Sequence, residues 1–301
     1  MNDSGQRSAK LQFIISMVIF GTIGIFVRFL PYSSSMIAMT RGIIGALFLL
    51  VFIVIRGKKL NLKAIKSNLL ILVMTGACIG VNWILLFESY RYTTVATATL
   101  CYYFAPVFVI IASPFVFNEK INTVKAMAVV MSLVGMVLVS GVYNGIGKPD
   151  AASSENSLGI TLGIGAALFY AMVIILNKKL KDIEAYDQTI VQLFTAGAVL
   201  IPYNIATGAF KDIALETSPT VLILLAIVCI VHTGIAYVLY FGSMQTLSAQ
   251  TIAIFSYIDP VVAILVSTFI LKENMDMLGV FGAVLILGST LMSELRSQKQ
   301  S

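Results

Sequence analysis

Two ionisable residues lie in the middle of long apolar runs, where a charge is costly unless it has a use. Asp259 lies near the middle of the run 248–271, directly before Pro260, and His232 lies near the middle of the run 219–241. A proline removes one backbone hydrogen bond and frees a nearby carbonyl group, so a carboxyl group beside it can bind a cation, hold a substrate amine or exchange a proton. Since histidine is a natural proton carrier, we predict that Asp259 performs energy coupling, with His232 as a candidate relay. The alternative for each residue is a structural hydrogen bond to a neighbouring helix.

Arg41 is a third charged residue inside an apolar run, near the start of the second run. A guanidinium group at this depth can attract an anionic group of a substrate. It can equally pair with Glu88 near the end of the third run, or extend its side chain toward the membrane surface. The sequence favours a structural role and leaves the substrate-binding role open. Arg28 lies closer to the surface and is predicted to be an interfacial anchor.

One face of the third apolar run carries Thr75, Cys78, Asn82 and Ser89. The matching face of the eighth run carries His232 at the position of Cys78, and Ala236 is the repeat partner of Asn82. A polar face repeated in both halves predicts a wet cavity, with Trp83 at its edge. The residues predicted to line this substrate cavity are Arg41, Asn82, Trp83, Tyr103, His232, Ala236, Tyr237 and Tyr257.

Tyr103 and Tyr257 are predicted to lie at mid-depth, shortly before two prolines. Pro106 and Pro260 are predicted to break their helices, because proline lacks the backbone N–H and clashes with the preceding turn. Aromatic rings beside a cavity suit flat, amphipathic substrates through stacking and cation–π contacts. For each ring taken singly, plain packing remains the favoured alternative.

The sequence predicts no catalytic residue, no metal site and no cofactor. It contains one histidine, and its three cysteines lie inside apolar runs, where they pack as small hydrophobic residues. No metal-ligand spacing, nucleophile–base–acid set or phosphate-binding glycine loop is present. Ser243, Ser248 and Ser256 are near His232 in the sequence, but no supporting motif accompanies them. We therefore expect that the protein is not an enzyme.

The composition indicates that lipid surrounds these residues. Of the 301 residues, 58% are apolar and 11% are charged, whereas a soluble domain carries about 25% charged residues. The net charge of +6 reflects basic loops, and no nucleic-acid partner is predicted. Runs of about 20 apolar residues predict an all-α integral membrane protein with ten transmembrane helices. These runs fall near 11–30, 34–55, 69–90, 94–117, 123–142, 158–177, 187–206, 219–241, 248–271 and 276–293.

The stretch 87–133 recurs without a gap as 241–287, which places Phe87 on Phe241 and Pro106 on Pro260. An odd number of crossings separates the two copies, so they are predicted to have opposite orientations. Inverted repeats with interrupted helices are typical of secondary transporters, whose substrates bind where the repeats meet. We predict two inverted five-helix repeats, residues 1–142 and 158–301, joined by an extracytoplasmic linker at 143–157.

The distribution of lysine and arginine predicts the orientation. The loops on the side of the N-terminus, including 56–66 and 178–181, hold most of the basic residues, and the loops on the other side hold few. Basic loops favour the cytoplasmic side. Both termini are therefore predicted to be cytoplasmic in a multi-pass protein of the cell membrane.

Several residues recur at characteristic places in the apolar runs. The second run contains an arginine, the fourth and ninth runs each contain a proline followed by an acid, and the fifth and tenth runs each contain a glycine. These residues are Arg41, Pro106, Glu119, Pro260, Glu273, Gly135 and Gly288. With five spans per repeat, this set resembles the drug/metabolite transporter superfamily, in its ten-span form with two EamA-type repeats. The resemblance covers nearly the whole chain and implies the fold more specifically than the substrate. The approximate counterpart of Arg41 in the seventh run is Gln192, so a symmetric role for the arginine is not predicted.

Together these patterns predict a secondary transporter that exports small organic metabolites, such as amino acids or amphipathic drug-like compounds, by alternating access. Its predicted partners are a small-molecule substrate, the lipid bilayer and protons. One alternative is a proton-coupled importer or exchanger of anionic metabolites, which requires more than one cation in the cavity. Another is a non-transporting membrane receptor or scaffold. The substrate, the direction of transport, the coupling ion and the oligomeric state do not follow from the sequence.

Overall fold

The computed structural model describes residues 3–117, 122–140, 151–210, 218–244, 246–247 and 249–298. Across these residues the chain forms ten helical segments, two of which are broken in their interior. The segments are α1 (Asp3–Arg28), α2 (Ser34–Ile55), α3 (Leu62–Tyr92), α4 (Val95–Tyr102 and Ala105–Phe117), α5 (Thr123–Ser140), α6 (Ala151–Asn177), α7 (Ala185–Thr207), α8 (Pro219–Met244), α9 (Ala249–Ser256 and Ile258–Phe269) and α10 (Met277–Gln298).

Seven of these segments are long and apolar enough to cross a membrane, namely α1 to α4 and α6 to α8. The others, α5, α9 and α10, contain shorter apolar helices. Large apolar side chains face outward along the bundle; Phe115 is 86% exposed and Leu70 is 74% exposed. Because water would not tolerate this much apolar surface, the protein is an all-α integral membrane protein.

The helix contacts follow the internal repeat. The contact between α3 and α6 has its counterpart between α8 and α1, and the contact between α3 and α7 has its counterpart between α8 and α2. Likewise, α4 packs on α6 as α9 packs on α1. Three further pairs join equivalent helices of the two repeats: α2 with α7, α4 with α9, and α5 with α10. The interface between the repeats is therefore built from matched helix pairs.

The crossing of α2 and α7 depends on glycine. A Cβ atom added at Gly42 would lie 2.7 Å from the backbone nitrogen of Gly197, and one added at Gly197 would lie 2.9 Å from the carbonyl oxygen of Met39. Small residues allow two helices in lipid to approach closely, which increases their van der Waals contact. This crossing holds the second helix of each repeat against the other.

The breaks in α4 and α9 occur just before prolines. The two parts of α4 are separated at Tyr103 and Phe104, ahead of Pro106, and those of α9 are separated at Tyr257, ahead of Pro260. Proline cannot donate to the carbonyl four residues earlier and clashes with it, so the preceding turn opens. A different irregularity occurs in α8, where Ile227–Ile235 forms a π-helix. Such wide turns are frequent at functional sites.

Three helices begin well before the apolar runs indicate, and the first of them is α1, which begins at Asp3. Helix α3 begins at Leu62, because the side chain of Asn61 accepts a hydrogen bond from the backbone of Ala64 and caps a basic first turn. Helix α6 begins at Ala151, inside the linker predicted at 143–157. Residues 143–150 of that linker lie outside the described residues, as does Glu119.

Candidate functional site

The breaks of α4 and α9 meet at a hydrogen bond between the two repeats. The hydroxyl of Tyr103 donates to Oδ2 of Asp259 over 2.9 Å and lies 3.4 Å from the carbonyl oxygen of Ser256. That carbonyl is four residues before Pro260, so the proline has left it without its helical donor. The ring centroids of Tyr103 and Tyr257 are 6.4 Å apart. The residues beside the two breaks thus form one site.

Helix α1 passes close to this site. A Cβ atom added at Gly21 would lie 2.5 Å from the carbonyl oxygen of Asp259. The glycine lets the backbones of α1 and α9 approach next to the broken turn. Helix α1 therefore packs against the backbone of the broken turn, and Tyr103 and Asp259 remain partly exposed.

Arg41 is buried, with 5% of its surface exposed. Its Nε donates to the hydroxyl of Thr233 over 2.8 Å, and its guanidinium carbon lies 4.0 Å from the ring centroid of Trp83 and 5.7 Å from that of Phe87. Among the described residues, no carboxylate lies within ion-pair distance of it. The Glu88 carboxylate, its predicted alternative partner, instead accepts from Ser34 and lies 3.8 Å from Arg91. Arg41 is thus a buried cation that rests on aromatic faces.

Several tyrosines lie between the surroundings of Arg41 and those of Asp259. Tyr90, Tyr102 and Tyr237 belong to the same apolar core as Trp83 and Phe87, the two rings that Arg41 faces. The ring of Tyr102 lies beside that of Tyr103, with centroids 6.2 Å apart, and the Tyr103 hydroxyl donates to Asp259. We call Tyr90, Tyr102, Tyr103 and Tyr237 the tyrosine cluster.

His232 lies at a different contact. It is 2% exposed, and its Nε2 lies 3.1 Å from the hydroxyl of Thr22 in α1. Its Nδ1 lies 3.3 Å from the carbonyl oxygen of Ile227 within the π-helix, and its ring packs on Phe26 with centroids 4.7 Å apart. Neither ring nitrogen lies within hydrogen-bond distance of Asp259. The structure brings His232 to α1 and does not place it against the carboxylate that it was predicted to relay protons for.

Asn82 and Ala236 occupy helix contacts. Asn82 is 1% exposed and its amide donates to the carbonyl oxygen of Ala166 in α6 over 2.6 Å. Ala236 is fully buried in α8.

Of the residues predicted to line the cavity, Arg41 and Trp83 contact each other, and Tyr103, Tyr257 and the coupling residue Asp259 lie together. Tyr237 packs against the same apolar core as Trp83.

Sequence reasoning missed two threonines and part of the tyrosine cluster. Thr22 and Thr233 hold His232 and Arg41, and they look like ordinary residues of apolar helices. Thr233 follows His232 directly, which was a usable signal, but the π-helix that orients it has no sequence signature. Tyr90 and Tyr102 belong to runs rich in aromatic residues, and their packing in the core that contains Trp83 and Phe87 required the structure.

A second set of contacts between the repeats lies where α1 ends and α4 begins. The Glu273 carboxylate accepts a hydrogen bond from the backbone of Val95 over 2.9 Å and one from Ser267 over 2.5 Å. It also pairs with Arg28, whose Nη1 lies 2.5 Å from Oε1. Arg28 in turn donates to the carbonyl oxygens of Tyr90 and Thr93. We call this set the Glu273 network.

Two surface clefts lie apart from the tyrosine cluster. One, of about 330 Å³, is lined by residues that include Ser33, Ser34, Glu88 and Tyr203. The other, of about 290 Å³, is lined by apolar residues of α4 and α6 such as Phe108 and Leu168. The first adjoins the end of the bundle that holds the Glu273 network. The second is almost wholly apolar, as a groove that faces lipid should be.

Comparison with known proteins agrees with the helix pattern. The EamA-like transporter family matches residues 7–141 and again residues 157–295. A Bacillus subtilis (strain 168) protein named "Uncharacterized transporter YxxF" is 32% identical over 98% of this chain and 92% of its own length. The "S-adenosylmethionine uptake transporter" of Rickettsia prowazekii (strain Madrid E) is 25% identical over 69% of this chain and 65% of its own length.

A solved crystal structure shares the fold. It superposes with a TM-score of 0.63 at 16% identity, covering 98% of this chain and 99% of that chain. The family match covers both halves of the sequence, and the relatives are transporters rather than enzymes. The chain belongs to the EamA-like transporter family, within the drug/metabolite transporter superfamily.

Proposed function

We propose that the protein is a secondary transporter that exports small organic metabolites by alternating access, with the tyrosine cluster lining the substrate site. The observation that supports this most directly is the hydrogen bond between Tyr103 and Asp259. It joins the broken turns of the two repeats. Broken helices at a repeat interface are where secondary transporters bind substrate, because their free carbonyl groups and helix ends can contact polar groups there.

The matched helix contacts support alternating access. Each repeat uses the same faces, so rocking of one repeat against the other can exchange one set of contacts for its counterpart. The equivalent ends of α9 and α4 already differ in their contacts. In α9 the hydroxyl of Ser267 donates to Glu273. Its repeat counterpart Ser113 in α4 donates over 2.9 Å to the carbonyl oxygen of Ile110 in its own helix. In the proposed cycle, the Glu273 network is formed in one state and broken in the other.

Proton coupling through Asp259 is part of this proposal. The carboxyl group lies beside a broken turn, with the Tyr103 hydroxyl as its hydrogen-bond donor. A carboxyl group in the membrane interior can alternate between a protonated form and a form that holds a cationic group. Export then results when a proton that enters with the gradient replaces the departing substrate on Asp259.

One observation favours import or exchange of anionic metabolites as a second candidate. Arg41 is a buried cation without a carboxylate partner among the described residues, so it can receive an anion. The relative from Rickettsia prowazekii is named as an uptake transporter, which supports import as the direction of this second candidate. The lack of a second cation near Arg41 in the part that the structure describes makes this candidate weaker than export.

Metabolite profiling tests the proposal. Cells that overproduce the protein and cells that lack its gene are grown alike, and metabolites are measured inside the cells and in the medium. Export predicts compounds that rise in the medium on overproduction and accumulate inside on deletion. Compounds that move the opposite way indicate uptake. Compounds found by profiling are then tested in proteoliposomes, and failure of all of them to cross with the purified protein would contradict the transport function.

A further inference from the structure

We infer that the apolar groove between α4 and α6 binds a phospholipid with an anionic headgroup, whose acyl chain lies in the groove and whose phosphate lies at Lys178 and Lys179. This site is separate from the tyrosine cluster and goes beyond the transport function proposed above. The groove combines three properties that fit such a lipid: an apolar lining, a place on the membrane-facing surface and a basic end.

The groove has a volume of about 290 Å³ and an apolar lining. The second part of α4 packs against α6 here, and the small residues Ala112 and Ala171 leave room between larger side chains of the two helices. The rim is exposed on both sides, at Phe115 of α4 and at Met172 of α6. Since water does not enter the bilayer interior, the hydrocarbon chain of a lipid fills a groove of this kind.

The backbone of α4 beside the groove is also prepared for contact with hydrocarbon. Pro114 lies in this part of α4 and cannot donate to the carbonyl oxygen of Ile110, four residues earlier. The hydroxyl of Ser113 donates to that carbonyl over 2.9 Å instead. An unpaired carbonyl group would be costly against an acyl chain, and this hydrogen bond removes the cost.

The groove leads along α6 to two lysines. Ile175 is the last residue of α6 that lines it, and Lys178 and Lys179 follow three and four residues later. Residues at these spacings share one face of a helix, and the helical turn still includes Lys178, whose backbone donates to the carbonyl oxygen of Ile174. On the side of α4, Nζ of Lys178 lies 4.1 Å from the ring centroid of Phe117. The ammonium group is thereby placed where the groove ends.

The two lysines select the charge of the headgroup. Both are exposed, and no carboxylate among the described residues lies within ion-pair distance of Lys179. They belong to the loop 178–181, which the bias of basic residues predicts to be cytoplasmic. Basic residues at a groove between membrane helices suit an anionic headgroup. A zwitterionic headgroup is a poorer partner, because its own ammonium group is repelled by the lysines.

The first test compares two lipids that share their acyl chains and differ in headgroup. Dioleoylphosphatidylglycerol and dioleoylphosphatidylcholine are titrated onto the purified, delipidated full-length protein, and bound lipids are counted by native mass spectrometry. We expect the anionic lipid to bind roughly tenfold or more tightly at its first site, a difference of about 1.4 kcal/mol. The soluble compound sn-glycerol 3-phosphate carries the phosphate without acyl chains and should not displace the lipid.

The second test removes the lysines. In the double variant Lys178→Gln with Lys179→Gln, the preference for the anionic lipid should fall to about threefold or less, because each lysine near the headgroup contributes to it. Lys63→Gln with Lys66→Gln is the matched control. It also removes two exposed lysines that are predicted to be cytoplasmic, but at the start of α3. This control should keep the wild-type preference.

The third test fills the groove. Ala112→Trp places a large ring among the lining residues and should weaken the first binding event of the anionic lipid roughly tenfold. Ala198→Trp is the control, because Ala198 is also partly exposed and lies on the outer face of α7 with Phe194 and Ile201. The thermal unfolding temperature in detergent without lipid shows whether each variant is folded. If Ala112→Trp does not fold, the two lysine pairs decide the question.

The outcomes are independent of the transport function, since lipid binding is measured without a substrate. Equal binding of the two lipids overturns the inference. Equal loss of preference in the two lysine pairs also overturns it, because the selectivity then belongs to the basic surface as a whole. Displacement of the lipid by sn-glycerol 3-phosphate overturns it in favour of a phosphate site. Loss of preference in the Lys178 and Lys179 variant alone supports it.

Discussion

Gln192 makes in α7 the type of contact that Arg41 makes in α2. Nε2 of Gln192 donates to the hydroxyl of Thr75 in α3 over 2.7 Å, and Nε of Arg41 donates to the hydroxyl of Thr233 in α8 over 2.8 Å. The helix pairs α7–α3 and α2–α8 are counterparts in the two repeats. At this matched helix contact one repeat thus carries a neutral amide and the other carries a buried charge.

Gln192→Ala should lower stability. Gln192 also donates to Oδ1 of Asn177 over 2.7 Å, so the alanine leaves the buried hydroxyl of Thr75 and the partly buried carbonyl of Asn177 without this donor. Loss of such partners costs about 1–3 kcal/mol, which should lower the thermal unfolding temperature in detergent. Gln12→Ala, at a partly exposed position of α1, is the control. A wild-type unfolding temperature for Gln192→Ala would contradict this account.

The positions of the apolar helices and of the two breaks are local properties, and the sequence predicts them for that reason. A membrane helix requires a run of apolar residues as long as the bilayer is thick, and such runs are readable directly. Pro106 and Pro260 mark the turns that open in α4 and α9. The repeat 87–133 and 241–287 also predicts which helices are counterparts. The family follows from the same features.

The contacts of single polar residues could not be predicted, because they depend on how each helix is rotated. A helix that is apolar all round has a weak periodic signal, so the sequence does not show which face meets its neighbour. Asn82 illustrates this: it was predicted to line a cavity, and its amide binds the Ala166 carbonyl of α6. His232 lies in a π-helix and contacts Thr22, and no sequence pattern predicted that π-helix. Their roles in transport stay predictions.

The Glu273 network should contribute more to stability than an exposed ion pair does. In Glu273→Gln the amide can still accept from Val95, but the ion pair with Arg28 is lost. A hydrogen-bonded charge of this kind is worth about 1.5–3 kcal/mol, so we expect a lower thermal unfolding temperature. Glu184→Gln is the matched control, because Glu184 pairs with Lys58 at 3.5 Å with both side chains exposed. Exposed pairs contribute about 0–1 kcal/mol, so the control should change little.

Glu273→Gln also tests the proposal that the Glu273 network forms in one transport state and breaks in the other. Thr94 lies next to Val95, where the Glu273 carboxylate receives the backbone of α4. In a background without native cysteines, Thr94→Cys should react faster with a water-soluble maleimide when Glu273 is glutamine. Unchanged reactivity in the Glu273→Gln protein would show that the network does not limit access at this end.

The crossing of α2 and α7 predicts sharp intolerance of larger residues. Gly42→Val would place side-chain atoms on the backbone of Gly197, because even a Cβ atom lies 2.7 Å from its nitrogen. Overpacking of this kind costs about 1–3 kcal/mol and should reduce both the yield of folded protein and the unfolding temperature. Gly288→Val is the control, since a Cβ atom at that helical position meets no neighbour within 4 Å. Equal effects of the two substitutions would argue against a close crossing.

The orientation in the membrane is tested with single cysteines at two exposed positions. Ser154 lies near the start of α6, and Lys63 lies near the start of α3. The bias of basic residues predicts that Ser154→Cys reacts with an impermeant maleimide added to intact cells, and that Lys63→Cys reacts only after the cells are opened. Cys78, Cys101 and Cys229 are replaced beforehand. Strong labelling of Lys63→Cys in intact cells, without labelling of Ser154→Cys, would reverse the orientation.

Asp259→Asn should uncouple transport from the proton gradient. The asparagine keeps the size of the side chain and still accepts from the Tyr103 hydroxyl, so the broken turns of α4 and α9 should remain joined. It has no titratable proton, so uphill transport should be lost, and any remaining downhill exchange should lose its pH dependence. Both are measured in proteoliposomes with an imposed pH gradient, next to the wild type. Asp187→Asn is the matched control, because Asp187 also accepts a hydrogen bond inside the bundle, but from the backbone of Asn61 and away from the tyrosine cluster. If Asp259→Asn still concentrates substrate with an unaltered pH profile, Asp259 is a structural residue and coupling resides elsewhere.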